Sequence, residues 1–265
     1  MSQHKLYNEK FYFEFIRKEI SQELLIFVHP LGMSHKVWDS AIAYFKEKYD
    51  LLLIDLPGHG NSKEVSTGNN WTISQLASDI KALANSYGYQ KAHYIGTSIG
   101  GAIGQEILLS TPDFLQSLVV TNTHHKIGTY EFWNARATDI RNKGLEEMAA
   151  GIVPRWFAPQ YINTHPEVVS TWQRLLEKSD NEGYALLCEA LGDWQATDRL
   201  AERDRSIPVL CIAGKDDPAM PLENMQELAK CMGSEPLAVM EIGHVPSVEA
   251  PEAFNQLLND WLTRI

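Results

Sequence analysis

Short, continuous runs of apolar and β-branched residues recur along this chain, and almost none of them alternate. ELLIFV, DLLLID, AHYIGT and IPVLCIAG are typical. A strand with one face in water would read apolar, polar, apolar; a continuous run belongs to a strand covered on both faces, as in a parallel sheet wrapped by helices. Strands are expected at about 11–16, 24–28, 51–54, 92–95, 118–121, 209–213 and 237–242. Helical patterns lie between them. In TISQLASDIKALANSYG, Thr72 and Gln75 form a capping box, and Ile73, Leu76, Ile80, Leu83 and Tyr87 make one stripe. Gly88 stands where a C-terminal cap belongs. The alternation of the two patterns predicts an α/β fold built on a mostly parallel sheet.

The alternation fails once. From about 124 to 205 no strand-like run appears, only helical segments such as YEFWNARATDIRNKG and PEVVSTWQRLLEKS. Residues 1–123 and 206–265 are therefore expected to form the sheet core, and 124–205 an inserted helical cap. No internal repeat, low-complexity tract or flexible linker divides the 265 residues further.

Composition limits the classes of function. A net charge of −11 disfavours non-specific nucleic-acid binding, which needs a basic surface. The apolar runs fall far short of the roughly 20 residues that span a bilayer. The N-terminal stretch MSQHKLYNEK is too polar for a signal peptide, and a cytoplasmic location is expected. Cys188, Cys211 and Cys231 show neither disulfide nor zinc-knuckle spacing and are expected to be buried free thiols.

One stretch combines strand, glycines and helix: AHYIGTSIGGAIGQEIL, residues 92–108. Gly96-Thr97-Ser98-Ile99-Gly100 fits G-x-S-x-G, in which a serine occupies a strained strand-to-helix turn that only small neighbours permit. Its hydroxyl then stands above the sheet edge at the positive end of a helix, where developing negative charge is stabilised. Gly101 and Gly104 would let that helix pack closely on the sheet.

An unperturbed serine is a poor nucleophile and needs a base oriented by an acid. In this kind of fold the order along the chain is Ser, then Asp or Glu, then His. VMEIGHVPSVEAPEAF places His244 in the loop after the last expected strand. KDDPAMP places Asp216 and Asp217 in the loop after the preceding one, and the residues alone leave the choice between these two open. Of the two donors an oxyanion hole requires, one is the amide after the nucleophile, Ile99. The other should come from the early loop His29-Pro30-Leu31-Gly32, where Pro30 has no N–H and Leu31 becomes the donor. His29 is expected to orient this loop by hydrogen bonds. Asp55 and His59, in DLPGHGNS, should shape a turn near the site, and His93 should be a satisfied residue of a strand.

Taken together, FVHPLG…W, DLPGHGNS, GTSIGG, AGKDDPAMP and GHVPSVEAPEAF resemble the α/β-hydrolases over essentially the whole chain. NTHHKIGTYEFWNARATDIRNKG, the RWF at 155–157 and GYALLCEAL resemble the helical cap of the 3-oxoadipate enol-lactonase family over roughly 80 residues. The early loop reads His-Pro-Leu-Gly where that family usually has Asn-Ser-Leu-Gly. Thr97 and Ile99 replace its more usual Leu and Met. The family pattern Gly-x-x-Asp falls on Asp217 and selects it over Asp216. The resemblance implies a serine hydrolase that opens a small anionic lactone in aromatic-compound catabolism and calls for no metal or organic cofactor. It also implies a cation for the substrate carboxylate in a protein whose net charge would otherwise repel it. Arg136 is the candidate, three residues after Trp133 on a shared helix face, with the indole covering the ring. Lys126, Arg141 and Arg155 are the weaker candidates.

Overall fold

The computed structural model describes residues 2–8, 10–17, 23–62, 71–203, 205–234 and 237–265. Eight strands form one sheet: β1 (Ser2–Tyr7), β2 (Phe11–Ile16), β3 (Leu24–Val28), β4 (Asp50–Asp55), β5 (Ala92–Thr97), β6 (Leu115–Thr121), β7 (Val209–Gly214) and β8 (Ala238–Met240), in the order β1-β2-β4-β3-β5-β6-β7-β8. From β4 to β8 every pairing is parallel; β1 and β2 join as an antiparallel edge. β3, β4, β5 and β7 are buried along their whole length, as their unbroken apolar runs require.

Helices cover both faces: α1 (Asp39–Phe45), α2 (Ile73–Ser86), α3 (Ile99–Ser110), α4 (Tyr130–Ile152), α5 (Pro159–Thr164), α6 (Pro166–Leu176), α7 (Asn181–Asp193), α8 (Thr197–Ala201), α9 (Leu222–Met232), α10 (Pro246–Glu249) and α11 (Pro251–Leu262). The Thr72 hydroxyl caps α2 by accepting from the Gln75 amide at 3.0 Å. Gly88, at φ +93°, follows that helix. Between β6 and β7 the described residues contain helices and no strand. Among the described residues no helix is long and apolar enough to cross a membrane.

Three sequence expectations need adjusting. The sequence marks no strand at β1; its residues are largely polar, and it pairs as an edge with β2. The run expected at 237–242 yields a strand of only three residues, part-exposed, because the chain turns there toward His244. Cys188 and Cys211 are buried, but Cys231 is partly exposed near the end of α9. α4 runs through a kink at Gly144, where that residue takes φ +80°. The Leu145 amide beyond the kink donates to Asn181 Oδ1 at 2.9 Å, a side-chain cap supplied by another helix.

Candidate active site

Ser98 ends the buried β5 run and precedes α3, with φ +55° and ψ −117°. A non-glycine residue in that region carries backbone strain, which persists only where the surroundings over-determine it. They do so here. A Cβ on Gly96 would strike the Gly100 carbonyl, and one on Gly100 would strike the Val28 carbonyl of β3. The Ser98 amide donates to the Thr121 carbonyl at 3.0 Å, and its own carbonyl accepts from Thr123 Oγ1 at 2.8 Å. Gly101 and Gly104 bring α3 against Thr123 on one side and against Tyr94 and Leu118 on the other, as the sequence suggested.

His244 and Asp217 meet across two loops. The imidazole Nδ1–H donates to Asp217 Oδ2 at 2.6 Å, and the carboxylate is completely buried. Asn122 Nδ2 donates to the same oxygen at 2.7 Å, while Oδ1 accepts the amides of Ala219 and Met220 at 2.7 and 3.0 Å. Four donors therefore fix this carboxylate as an acceptor pointing at the imidazole. Asp216 goes elsewhere, accepting from Gln160 at the surface. Nothing in the sequence around Asn122 marks it for this role. Its φ of +47° is the left-handed conformation that asparagine tolerates best, and its amide also donates to the Gly243 carbonyl at 3.0 Å, tying the loops of Asp217 and His244 together. Glu249 is a second residue of this kind. It accepts the Gly243 amide at 2.9 Å and the Ala158 amide at 3.1 Å, and burial raises its pKa.

Ser98, His244 and Leu31 share one cavity of about 420 Å³. Ile99 does not line it with its buried side chain, but it is the first residue of α3, and the first N–H groups of a helix have no partner within it. Leu31 follows Pro30 in the loop after β3. His29 organises that loop as expected: its Nδ1–H donates to the Pro30 carbonyl at 2.8 Å, and Nε2 accepts the Leu56 amide at 2.9 Å. Burial pulls the pKa of His29 down to about 3 and keeps it neutral. Asp55 anchors the neighbouring turn, taking the amides of His35 and Asn61 and the His35 ring. Burial opposes the ionisation of Asp55, but His35 outweighs it and holds the pKa low. The buried His59 ring stacks on Tyr184, and His93 pairs with Ser117 Oγ at 2.8 Å inside the sheet.

Residues between β6 and β7 supply most of the remaining wall, with Ala219, Met220 and Asn224 from beyond β7. Trp133 and Arg136 both face the cavity, with Phe132, Trp156, Tyr184 and Arg155 beside them. The Trp133 indole donates to the Ile127 carbonyl, which fixes the plane of the ring. The Arg136 guanidinium lies 5.4 Å from the centre of the Phe132 ring. Among the lining residues there are two arginines and no carboxylate. Lys126 does not line it, and Arg141 is bound instead to Glu182 and Glu189.

The chain belongs to the α/β-hydrolase family, whose profile matches residues 23–251, and it is a carboxylic ester hydrolase. Within that family it is similar to 3-oxoadipate enol-lactonase 2 of Acinetobacter baylyi, with 36% identity covering 91% of this chain and 88% of the relative. The crystal structure of the enol-lactonase from Burkholderia xenovorans LB400 superposes with a TM-score of 0.90 at 25% identity, covering 98% of this chain and all of that one. A putative carbamate hydrolase RutD of Pseudomonas savastanoi pv. phaseolicola is 27% identical over 90% of this chain and 93% of its own.

Proposed function

We propose that the protein opens the enol-lactone of 3-oxoadipate to give 3-oxoadipate, with Ser98 as nucleophile, His244 as base and Asp217 as its orienting acid. One observation carries the choice of substrate: the cavity above Ser98 is apolar and aromatic, and its lining holds the guanidinium groups of Arg136 and Arg155 without a carboxylate. A compact anion with a reactive carbonyl suits such a wall, and a neutral ester leaves the cations unused. The likeness to enol-lactonases supports the same choice.

In this reading His244 accepts the Ser98 proton as the hydroxyl oxygen attacks the lactone carbonyl. The amides of Leu31 and Ile99 take the resulting oxyanion, each such donor contributing about 10²–10³ in rate. Collapse breaks the ring C–O bond, and the leaving enolate receives the proton held by His244 and tautomerises to the ketone. Water, deprotonated by the same imidazole, then attacks the acyl-Ser98 ester and releases the product. Asp217 stays ionised throughout and stabilises the imidazolium. Arg136 grips the substrate carboxylate with two parallel hydrogen bonds, and Trp133 covers the ring. No step calls on a metal or an organic cofactor.

Turnover of the enol-lactone measured beside p-nitrophenyl acetate and a simple carbamate tests the assignment. A kcat/KM for the lactone at least about 10²-fold above both follows from a site that uses the carboxylate, since each 1.4 kcal/mol is worth tenfold. Comparable values for all three would make this a general esterase.

A further inference from the structure

Where the chain leaves β6 for the helical insertion, two adjacent histidines turn toward a carboxylate of the core. His125 Nε2 lies 3.1 Å from Glu227 Oε1, and His124 Nε2 lies 3.5 Å from Glu227 Oε2, on α9. The three side chains offer donor atoms that all fall within 4.8 Å of one another. Ligand bonds of about 2.0–2.2 Å put neighbouring donors roughly 3.0–3.5 Å apart around a tetrahedral or octahedral ion, the spacing of both contacts.

The hydrogen bonding of His124 is incomplete in a specific way. Its Nδ1 lies 3.1 Å from the Lys126 carbonyl, which can only accept, so Nδ1 carries the ring hydrogen. The neutral ring then presents a lone pair at Nε2. That atom is buried and has no hydrogen-bond partner among the described residues, yet it faces a carboxylate oxygen. The two rings lie 3.8 Å apart, so their charged forms would repel. A lone pair facing a carboxylate in a buried corner is an arrangement that a cation resolves.

We propose that His124, His125 and Glu227 form a binding site for a divalent transition metal ion of the zinc class, apart from the reaction centre, which fastens the start of the helical insertion to α9. Two imidazoles and a carboxylate suit zinc, cobalt, nickel or copper and not the all-oxygen preference of magnesium or calcium. The outer contacts are those that ligating histidines use to fix their tautomers: the Lys126 carbonyl on His124 Nδ1, and Thr197 Oγ1 at 2.9 Å from His125 Nδ1. Glu227 is 58% exposed in its side chain, which leaves an open side for the ion to arrive and to keep water. The fastening would reach both ends of the insertion, since the His125 carbonyl accepts the Ala196 amide at 2.8 Å.

The test uses the full-length protein, stripped with a chelator and titrated with Zn²⁺ against a chromophoric competitor. One equivalent is expected to bind tightly and to raise the melting temperature, while Mg²⁺ does neither. Glu227→Gln, at an exposed position that leaves the core intact, and His124→Asn should each weaken binding by more than the roughly 10–100-fold that loss of an outer partner costs. Thr197→Val should weaken it by about tenfold. Co²⁺ should show the strong visible absorption of a site with fewer than six ligands, and Glu227→Gln should lose it. No zinc uptake, or uptake unchanged in Glu227→Gln, would overturn the proposal. So would a zinc-independent melting point whose pH dependence alone responds to these substitutions, leaving a proton shared by His124 and Glu227 in place of a metal.

Discussion

The loops at the sheet's C-terminal end and the helices that roof them are held by different physics. Around Ser98, His244 and Asp217 the restraints are backbone contacts with no slack: carbonyls where a Cβ would sit at Gly96 and Gly100, and four donors on one buried carboxylate. The roof is joined to this base by close approaches at a few places. A Cβ on Gly32 would overlap the Trp156 indole, and the Asp180 amide donates to the Gly58 carbonyl at 2.8 Å. The roof also places Ile140, Leu145, Ala149, Leu187 and Leu191 in the buried apolar core, and holds part-exposed ion pairs such as Arg141 with Glu182 and Glu189. In the proposed reaction the chemistry, which needs sub-ångström placement, falls to the rigid side, and selection of the substrate, which needs shape and charge, falls to side chains of the roof.

Substitutions on the rigid side should produce the largest effects. Ser98→Ala, His244→Ala and Asp217→Asn are each expected to lower kcat by at least about 10³-fold with an unchanged circular-dichroism spectrum, because the three groups act as one unit. Asp216→Asn should stay near the parent. Steady-state kinetics on any accepted ester reads this out, and a damaging Asp216→Asn would reverse the roles of the two carboxylates.

A smaller effect is expected from the buried histidine that orders the loop of Leu31. Well above pH 6.5, His29 is neutral in both folded and unfolded chains. Below that, the unfolded chain binds a proton that the folded one refuses until about pH 3. Stability therefore falls with pH across this window, by about 1.4 kcal/mol per unit at full slope. His29→Asn should cost stability at neutral pH through its lost hydrogen bonds yet show a shallower decline between pH 6 and 4.5 in urea titrations. An unchanged slope would mean that the buried imidazole is not what makes the loop acid-labile.

The smallest effect belongs to the roof's ion pairs. Arg141 is 35% exposed, so Arg141→Met should cost about 1 kcal/mol or less, a few degrees in melting temperature, and leave ester hydrolysis unchanged. A large loss of activity would mean that the roof is less independent of the base than its contacts indicate.

This division also explains what could be read in advance. Ser98 and His244 were legible because strand-to-helix turns and loops after strands leave periodic and compositional marks. Without the family pattern Asp217 was not separable from Asp216, since the two differ in partners that lie far along the chain or in the fold of the next turn: His244 and Asn122 meet Asp217, and Ala219 and Met220 turn back onto it. β1 left no mark because its sequence, SQHKLY, is largely polar and has no apolar run. Asn122 meets Asp217 and Gly243, and Glu249 meets Ala158, all far along the chain, as His124 and His125 meet Glu227, 102 positions beyond His125. No local pattern encodes such a meeting. Arg136 and Trp133 were placed on a common face by helical spacing, and both do face the cavity.

The most direct test sets the two sides against each other in one experiment: kcat/KM for the enol-lactone and for p-nitrophenyl acetate in the parent protein, Ser98→Ala and Arg136→Met. Ser98→Ala should abolish both activities. Arg136→Met should raise KM for the lactone by about 10²-fold, the roughly 2–3 kcal/mol of a charge-assisted pair, and leave the neutral ester nearly untouched. Equal losses on both substrates in Arg136→Met would contradict the account, because the arginine would then support the fold of the roof and select nothing.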